Sequence, residues 1–208
     1  KQRLEVLNRV LRHNLRNGVD IIKANTQAIT DNVDDQYTQE IHDTVDRLTA
    51  LSTKARATDQ ILSQPGQTSQ RDLSSVLSEV VDDEQIDLDL PAHAPLHTNW
   101  DALRAAIAAT IENASEHAKE AVSVRVTESK DGYTIAIADD GPGVPESELA
   151  ALNAETETQH LHGTGLGLWQ LKWGVTKVGG NLSFDTTDGT TVKITVPDQA
   201  DDTVGYRN

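Results

Sequence analysis

The chain has 208 residues, with 33 Asp and Glu against 18 Lys and Arg, a formal net charge of −15, and neither Cys nor Met. It is long enough to bury a real core, and without cysteine it has no disulfide framework, no Cys–metal site and no thiol chemistry. No apolar run approaches the ~18 residues of a membrane span, no secretory signal opens the chain, and its average surface repels nucleic-acid phosphate.

The expectation is a cytoplasmic chain with no membrane segment and no nucleic-acid partner. Asp outnumbers Glu by 21 to 12, there are 8 Lys and 22 Thr, and Ala and Val replace larger apolar residues. Disordered chains are also acidic and poor in aromatics, but they lack the periodicity described below. The composition points instead to concentrated salt, where at about 1 M the Debye length falls to roughly 3 Å and self-repulsion is screened. The first residue, Lys1, already sits in a helical pattern, so a fragment of a longer protein is expected.

Residues 1–30 read as one helix, with Leu4, Leu7, Leu11, Leu15, Ile22 and Ile29 at spacings of three, four and seven and Gly18 as the one soft point. Thr30 to Asp35 is turn chemistry. A second helix runs from about 36 to 61, with Ile41, Val45, Leu48, Leu51 and Ala55 on one face. Two such helices make an antiparallel hairpin that buries only a stripe. A partner hairpin would complete it, so a homodimeric four-helix bundle is expected.

Ser63 to Ser69 is a linker, after which the pattern becomes mixed. Asp72 or Ser74 could cap a helix to about Asp83, and Ile86 to Leu90 alternates as a strand stopped by Pro91. Residues 101–117 are helical. Val122-Val124-Val126 and Tyr133-Ile135-Ile137 alternate on either side of a hairpin signal at 129–132. A loop over 141–163 carries a short helix near 146–152. A helix at about 165–178 and a hairpin pairing 181–186 with 191–196 complete the chain.

Four stations could carry chemistry. Asp139-Asp140-Gly141-Pro142-Gly143 follows a strand; a carboxylate there could hold an exocyclic amine, or the segment could be an ordinary Asp-Gly turn. His162-Gly163-Thr164-Gly165-Leu166-Gly167-Leu168 opens a helix, and its backbone N–H groups suit phosphate. It is neither a Walker loop nor a dinucleotide fingerprint. Glu112, Asn113, Glu116 and His117 lie near the end of the long helix, where Asn113 could serve Mg²⁺ or the turn could simply be solvated. His13 lies beside a stripe of Arg9, Arg12 and Arg16, and residues 1–18 carry five cations against Glu5 alone, a local +4. Such a patch suits a phosphoryl group or an acidic partner, or pairs with acidic residues of the second helix.

Taken in order, these stations resemble the catalytic core of the sensor histidine kinases of two-component signalling, over nearly the whole chain. The His13-Asn14-Leu15-Arg16-Asn17 box is similar to that of haloarchaeal members. The resemblance implies an α+β chain. A dimerisation and phosphotransfer hairpin spans 1–64, an ATP-binding α/β sandwich with a mixed sheet spans 65–200, and a tail spans 201–208. It implies His13 as phosphoacceptor, with Asn14 and Arg16 beside it and Asn17 placed to orient water at a regulator's phospho-Asp. Glu112, Asn113 and His117 would line the nucleotide site, with Asn113 holding Mg²⁺ and Asp139 reading the adenine amine. Gly141 and Gly143 would admit the nucleotide. Gly163, Thr164, Gly165, Leu166, Gly167 and Leu168 would cradle phosphates at the hinge of a lid over 144–162, and Thr191 would lie in the turn beneath adenine. ATP and Mg²⁺ are the implied cofactors. A homodimeric partner, a response-regulator receiver domain and an upstream sensor domain are the implied partners.

This sequence departs from the family's pattern at several places. Asn14 stands where an acidic residue is usual, so it can fix the His13 tautomer but brings no charge, which predicts slow autophosphorylation. Gly18 replaces a frequent Pro, Ala109 a frequent Asn and Glu116 a frequent Lys, and the lid has no Phe. His160 and His162 are its only candidate cations. A phosphatase-biased or non-catalytic signalling module is the alternative, and a gyrase- or Hsp90-type ATPase with Glu112 as base is a third reading.

Overall fold

The computed structural model describes residues 15–26, 35–63, 67–81, 85–154 and 166–200, in two compact units that divide between Ser63 and Gln64. In the first unit residues 15–26 form helix α1 and Asp35–Ser63 form helix α2. The sequence pattern makes Gly18 a point of softness, but its position explains it better. A Cβ on Gly18 would come within 2.7 Å of both methyl carbons of Leu48, so the close approach of these two helices needs a residue without a side chain. The stripe on α2 also differs from the expected one. Thr44 and Thr58 are 3% and 1% exposed while Val45 is 44% exposed. Threonine reads as polar in a sequence, yet the Thr44 hydroxyl donates to the Glu40 carbonyl at 2.7 Å and leaves its methyl free to pack. The turn expected at 30–35 lies outside the described residues, as do His13 and Asn14.

The second unit is a two-layer α/β sandwich. Strand β1 (Ser69–Asp72) leads into helix α3 (Leu73–Val80), followed by strands β2 (Ile86–Asp89) and β3 (Pro95–Thr98) and helix α4 (Trp100–His117). Strands β4 (Val122–Ser129) and β5 (Gly132–Asp139) form a hairpin, then come helices α5 (Glu146–Ala154) and α6 (Leu166–Lys177) and the closing strands β6 (Asn181–Asp185) and β7 (Thr190–Pro197). The sheet runs β2-β4-β5-β7-β6; β2 and β4 are parallel and the remaining neighbours antiparallel.

Alternation decides the buried face. Val122, Val124 and Val126 of β4, Ile135 and Ile137 of β5, and Val192, Ile194 and Val196 of β7 all point under the helices. Leu73 and Leu77 of α3, Leu103 and Ile107 of α4, and Leu168 and Leu171 of α6 are buried with them, α4 packing on β5 and against α6. Gly174 lets α6 settle on α4, since a Cβ there would lie 2.7 Å from the Ala102 carbonyl and 2.9 Å from the Ala106 Cβ. Burying side chains of this size contributes about 1.5–3 kcal/mol each.

Two further differences from the sequence pattern have local causes. The short ribbon of β1 with β3 was not expected, because Ser69-Gln70-Arg71-Asp72 is polar and β3 opens on a proline. Of the two candidate caps before α3, the structure uses Asp72, whose Oδ1 accepts from the Ser75 amide at 3.0 Å and whose Oδ2 accepts from the Ala94 amide at 2.9 Å. Among the described residues no helix is long and apolar enough to cross a membrane.

Candidate nucleotide site

The candidate residues gather where α4 ends beside the last residues of β5. Asn99 caps α4 by accepting the Ala102 amide at 3.2 Å, and the helix then presents Ala102, Leu103, Ala106, Ile107, Thr110 and Ala114 to the core. Asn113 lies at the border of that face and is half-buried, whereas Glu112, Glu116 and His117 are exposed. Ala109 is 7% exposed and packs in the core, so that turn offers no second polar ligand.

Asp139 is the final residue of β5 and is 8% exposed. Its Oδ1 accepts the Gly141 amide at 2.9 Å, and its Oδ2 has no hydrogen-bond partner among the described residues. Gly141 is required there: a Cβ would lie 2.5 Å from the His117 carbonyl, so the end of α4 rests directly on this turn. Gly143 has φ +84° and lies 3.4 Å from the Gly189 carbonyl by the same measure, which places the Pro142-Gly143 turn against the β6–β7 turn.

That second turn supports the site from below. Gly189 has φ +94°, and any Cβ on it would run into the Asp139 carbonyl oxygen. The β5–β7 register sets Thr190 opposite Asp139 and Thr191 opposite Ala138. Thr190, 5% exposed, therefore shares the face of Asp139, and the half-buried Thr191 points to the other face. Thr191 is the residue that the sequence singles out, and the alternation that buries Val192 also buries Thr190.

Glu148 of α5 is half-buried, and burial pushes its carboxyl up while the neighbouring His117 partly opposes the shift. Lys172 of α6 donates to the Leu152 carbonyl near the end of α5. In the first turn of α6, Leu166 and Leu168 are buried core residues, and Gly167 has open space where a side chain would stand. Gly163, Thr164 and Gly165 lie outside the described residues, as do His160 and His162. Arg16 and Asn17, in the first unit, are exposed on α1.

The structure thus brings Asn113, His117, Asp139, Gly141, Gly143 and the 189–191 turn into one region. It combines the carboxylate of the largely buried Asp139, an amide side chain on the adjoining helix, and close-packed glycine turns. Among the described residues no three His, Asp or Glu converge as a metal cage. Asn113 offers one amide oxygen, the kind of sparse protein ligation that suits an Mg²⁺ carried on a ligand's phosphates with most of its waters kept.

Comparisons with known proteins agree with this geometry. Residues 98–200 match the family described as histidine kinase-, DNA gyrase B-, and HSP90-like ATPase. A stretch of 84 residues is 33% identical to the sensor histidine kinase CpxA of Escherichia coli, covering 38% of this chain and 18% of that protein. The solved structure of the Acinetobacter baumannii histidine kinase AdeS shares the fold with a TM-score of 0.66 at 19% identity, over 90% of this chain and 98% of that one. The histidine kinase domain of the E. coli osmosensor EnvZ matches with a TM-score of 0.52 at 22% identity, over 66% and 93% of the two chains. Residues 98–200 carry the domain of that ATPase family, and the chain resembles the catalytic core of sensor histidine kinases.

Proposed function

We propose that this chain is the ATP-dependent protein-histidine kinase core of a two-component system. Asp139 carries the reading: it is 8% exposed, and its Oδ2 has no partner among the described residues, as an acceptor for the adenine amine must be. Asn113 would hold Mg²⁺ against the triphosphate. The metal would neutralise charge developing on the transferred group. Gly141 and Gly143 would let the purine lie close to the backbone. Gly163, Thr164, Gly165 and the first turn of α6 through Leu168 would offer backbone amides to the phosphates.

In the proposed reaction Nε2 of His13 attacks the γ-phosphorus as the bond to the ADP oxygen breaks. Asn14 accepts from Nδ1–H and so keeps the lone pair on the attacking nitrogen, while Arg16 offers positive charge nearby. The phosphoryl group then passes to an Asp of a response-regulator receiver domain, and Asn17 orients the water that later removes it. The hairpin of α1 and α2 is proposed to dimerise. Leu15, Val19, Ile21 and Val45 are 45, 56, 43 and 44% exposed, an apolar surface that a second copy would cover. A cytoplasmic location, an upstream sensor domain and a haloarchaeal setting complete the reading.

Incubation with γ-labelled ATP and Mg²⁺ in concentrated KCl tests it. Acid-labile label that disappears in His13→Gln is expected. The buried Ala109 favours one competitor, a phosphatase-biased or non-catalytic module with a thinner metal shell; it predicts nucleotide binding without label. Multiple-turnover hydrolysis insensitive to His13→Gln would instead indicate an ATPase of the gyrase type, with Glu112 as base.

A further inference from the structure

Asp140 differs from its neighbour Asp139 in what it holds. Its Oδ1 accepts the Lys119 amide at 2.8 Å, the Glu120 amide at 3.1 Å and the Ala121 amide at 3.3 Å, and its Oδ2 accepts Glu120 again at 3.2 Å. Three consecutive backbone N–H groups converging on one carboxylate form a nest. The Glu120 amide most of all, then that of Lys119, keep this carboxyl below the ordinary carboxylate range. The residues so held are the connection from α4 to β4.

That connection matters because of what stands at its two ends. His117 closes α4, one turn beyond Asn113, and its carbonyl lies against Gly141. Val122 opens β4 and pairs with Asp139. Asp139 is fixed by pairing to β4 on one side and β7 on the other, and by its own bond to the Gly141 amide. The end of α4 meets the β5 turn at the Gly141 contact, and the nest on Asp140 holds the three residues that follow from Lys119 to Ala121.

We propose that Asp140 is a positioning residue of the nucleotide site, bracketing the Asn113 end of α4 to the Asp139 end of β5. The proposal rests on the nucleotide-binding reading above. It assigns Asp139 and Asp140 opposite tasks: one faces the ligand, the other sets how far the phosphate side of the site stands from the adenine side. Misplacing a binding group by about 1 Å costs far more at the metal and phosphates than at a base held by one hydrogen bond.

The test measures adenosine and MgATP affinity by NMR titration in wild type, Asp140→Ala and Asp140→Asn. Asp140→Ala should weaken MgATP about tenfold or more while adenosine changes less than about threefold. Asp140→Asn, which keeps one acceptor oxygen without the charge, should recover part of the MgATP affinity. The amides of residues 119–121 should exchange with solvent faster in both variants. Equal losses for adenosine and MgATP, or two variants that do not fold, would mean Asp140 is only structural and overturn the proposal. Unchanged MgATP affinity in Asp140→Ala would overturn it while leaving the nucleotide site standing. A wild-type chain that binds neither ligand would overturn both.

Discussion

Replacing Gly189 with alanine is expected to damage stability and binding together, and the cost can be worked from the turn itself. The position has φ +94°, which an L side chain adopts at a cost of about 1–3 kcal/mol. The new Cβ would also collide with the Asp139 carbonyl oxygen and crowd the Asp140 Cα at 3.0 Å, so backbone on β5 must move. Overpacking of that kind costs about 1–3 kcal/mol. Reduced freedom of the unfolded chain returns only about 0.4–1 kcal/mol. The net loss is therefore about 1–5 kcal/mol, which lowers the melting midpoint by roughly 3–15 °C in a unit of this size. Trp100, Trp169 and Trp173 are 3, 2 and 4% exposed and all belong to the second unit, so urea titrations followed by tryptophan fluorescence will report its unfolding. A Gly189→Ala chain within about 0.5 kcal/mol of wild type would refute the reasoning. MgATP affinity should fall as well, because the forced movement is at Asp139.

Other substitutions separate structural from ligand-binding roles. Gly167→Ala meets open space in a helix, so stability should hold or rise by up to about 1 kcal/mol while MgATP affinity drops; a loss of stability in the same fluorescence titration would contradict this. Asp72→Ala should cost about 1 kcal/mol at neutral pH, measured as a shift in urea midpoint. The Ala94 amide, then that of Ser75, holds the Asp72 carboxyl below its ordinary value of 3.8, so its stabilisation is complete above that pH. The gap between wild type and variant should therefore close as pH falls below 3.8, and a gap unchanged between pH 7 and 3 would refute the assignment. Asn14→Asp should raise the rate of autophosphorylation by about 10-fold or more, because a carboxylate stabilises the imidazolium form that Asn14 cannot. Single-turnover labelling gives the rate, and an unchanged one would sink that account.

Elements with strong periodicity could be read directly from the residues. Trp100–His117, the β4–β5 hairpin and the α6 helix follow from apolar spacing and from turn residues between them. The ribbon of β1 with β3 could not be found this way, because its pairing is made by backbone and not by an apolar face. The same limit applied to the site. Asp139 and Gly141 stand out as a carboxylate and a glycine after a strand, but Asp140 looks like more of the same charge. Only the fold shows that it accepts from three amides while Asp139 accepts from the Gly141 amide alone among the described residues. Gly18 and Gly174 were similarly opaque, since a glycine that admits a neighbouring helix has no local signature. Thr44 and Thr58 are buried where the stripe on α2 is read from apolar residues alone, and Thr44 packs like one because its hydroxyl is bonded back to the Glu40 carbonyl.

The reading of Asp139 is tested most directly by comparing ATP with GTP in wild type and Asp139→Asn. A carboxylate can accept from the adenine amine and must repel the oxygen that guanine presents at the same place. Isothermal titration in concentrated KCl should show wild type binding MgATP at least about tenfold more tightly than MgGTP, with the preference collapsing in Asp139→Asn. Equal affinity for the two nucleotides in wild type, or a preference that survives the substitution, would contradict the account.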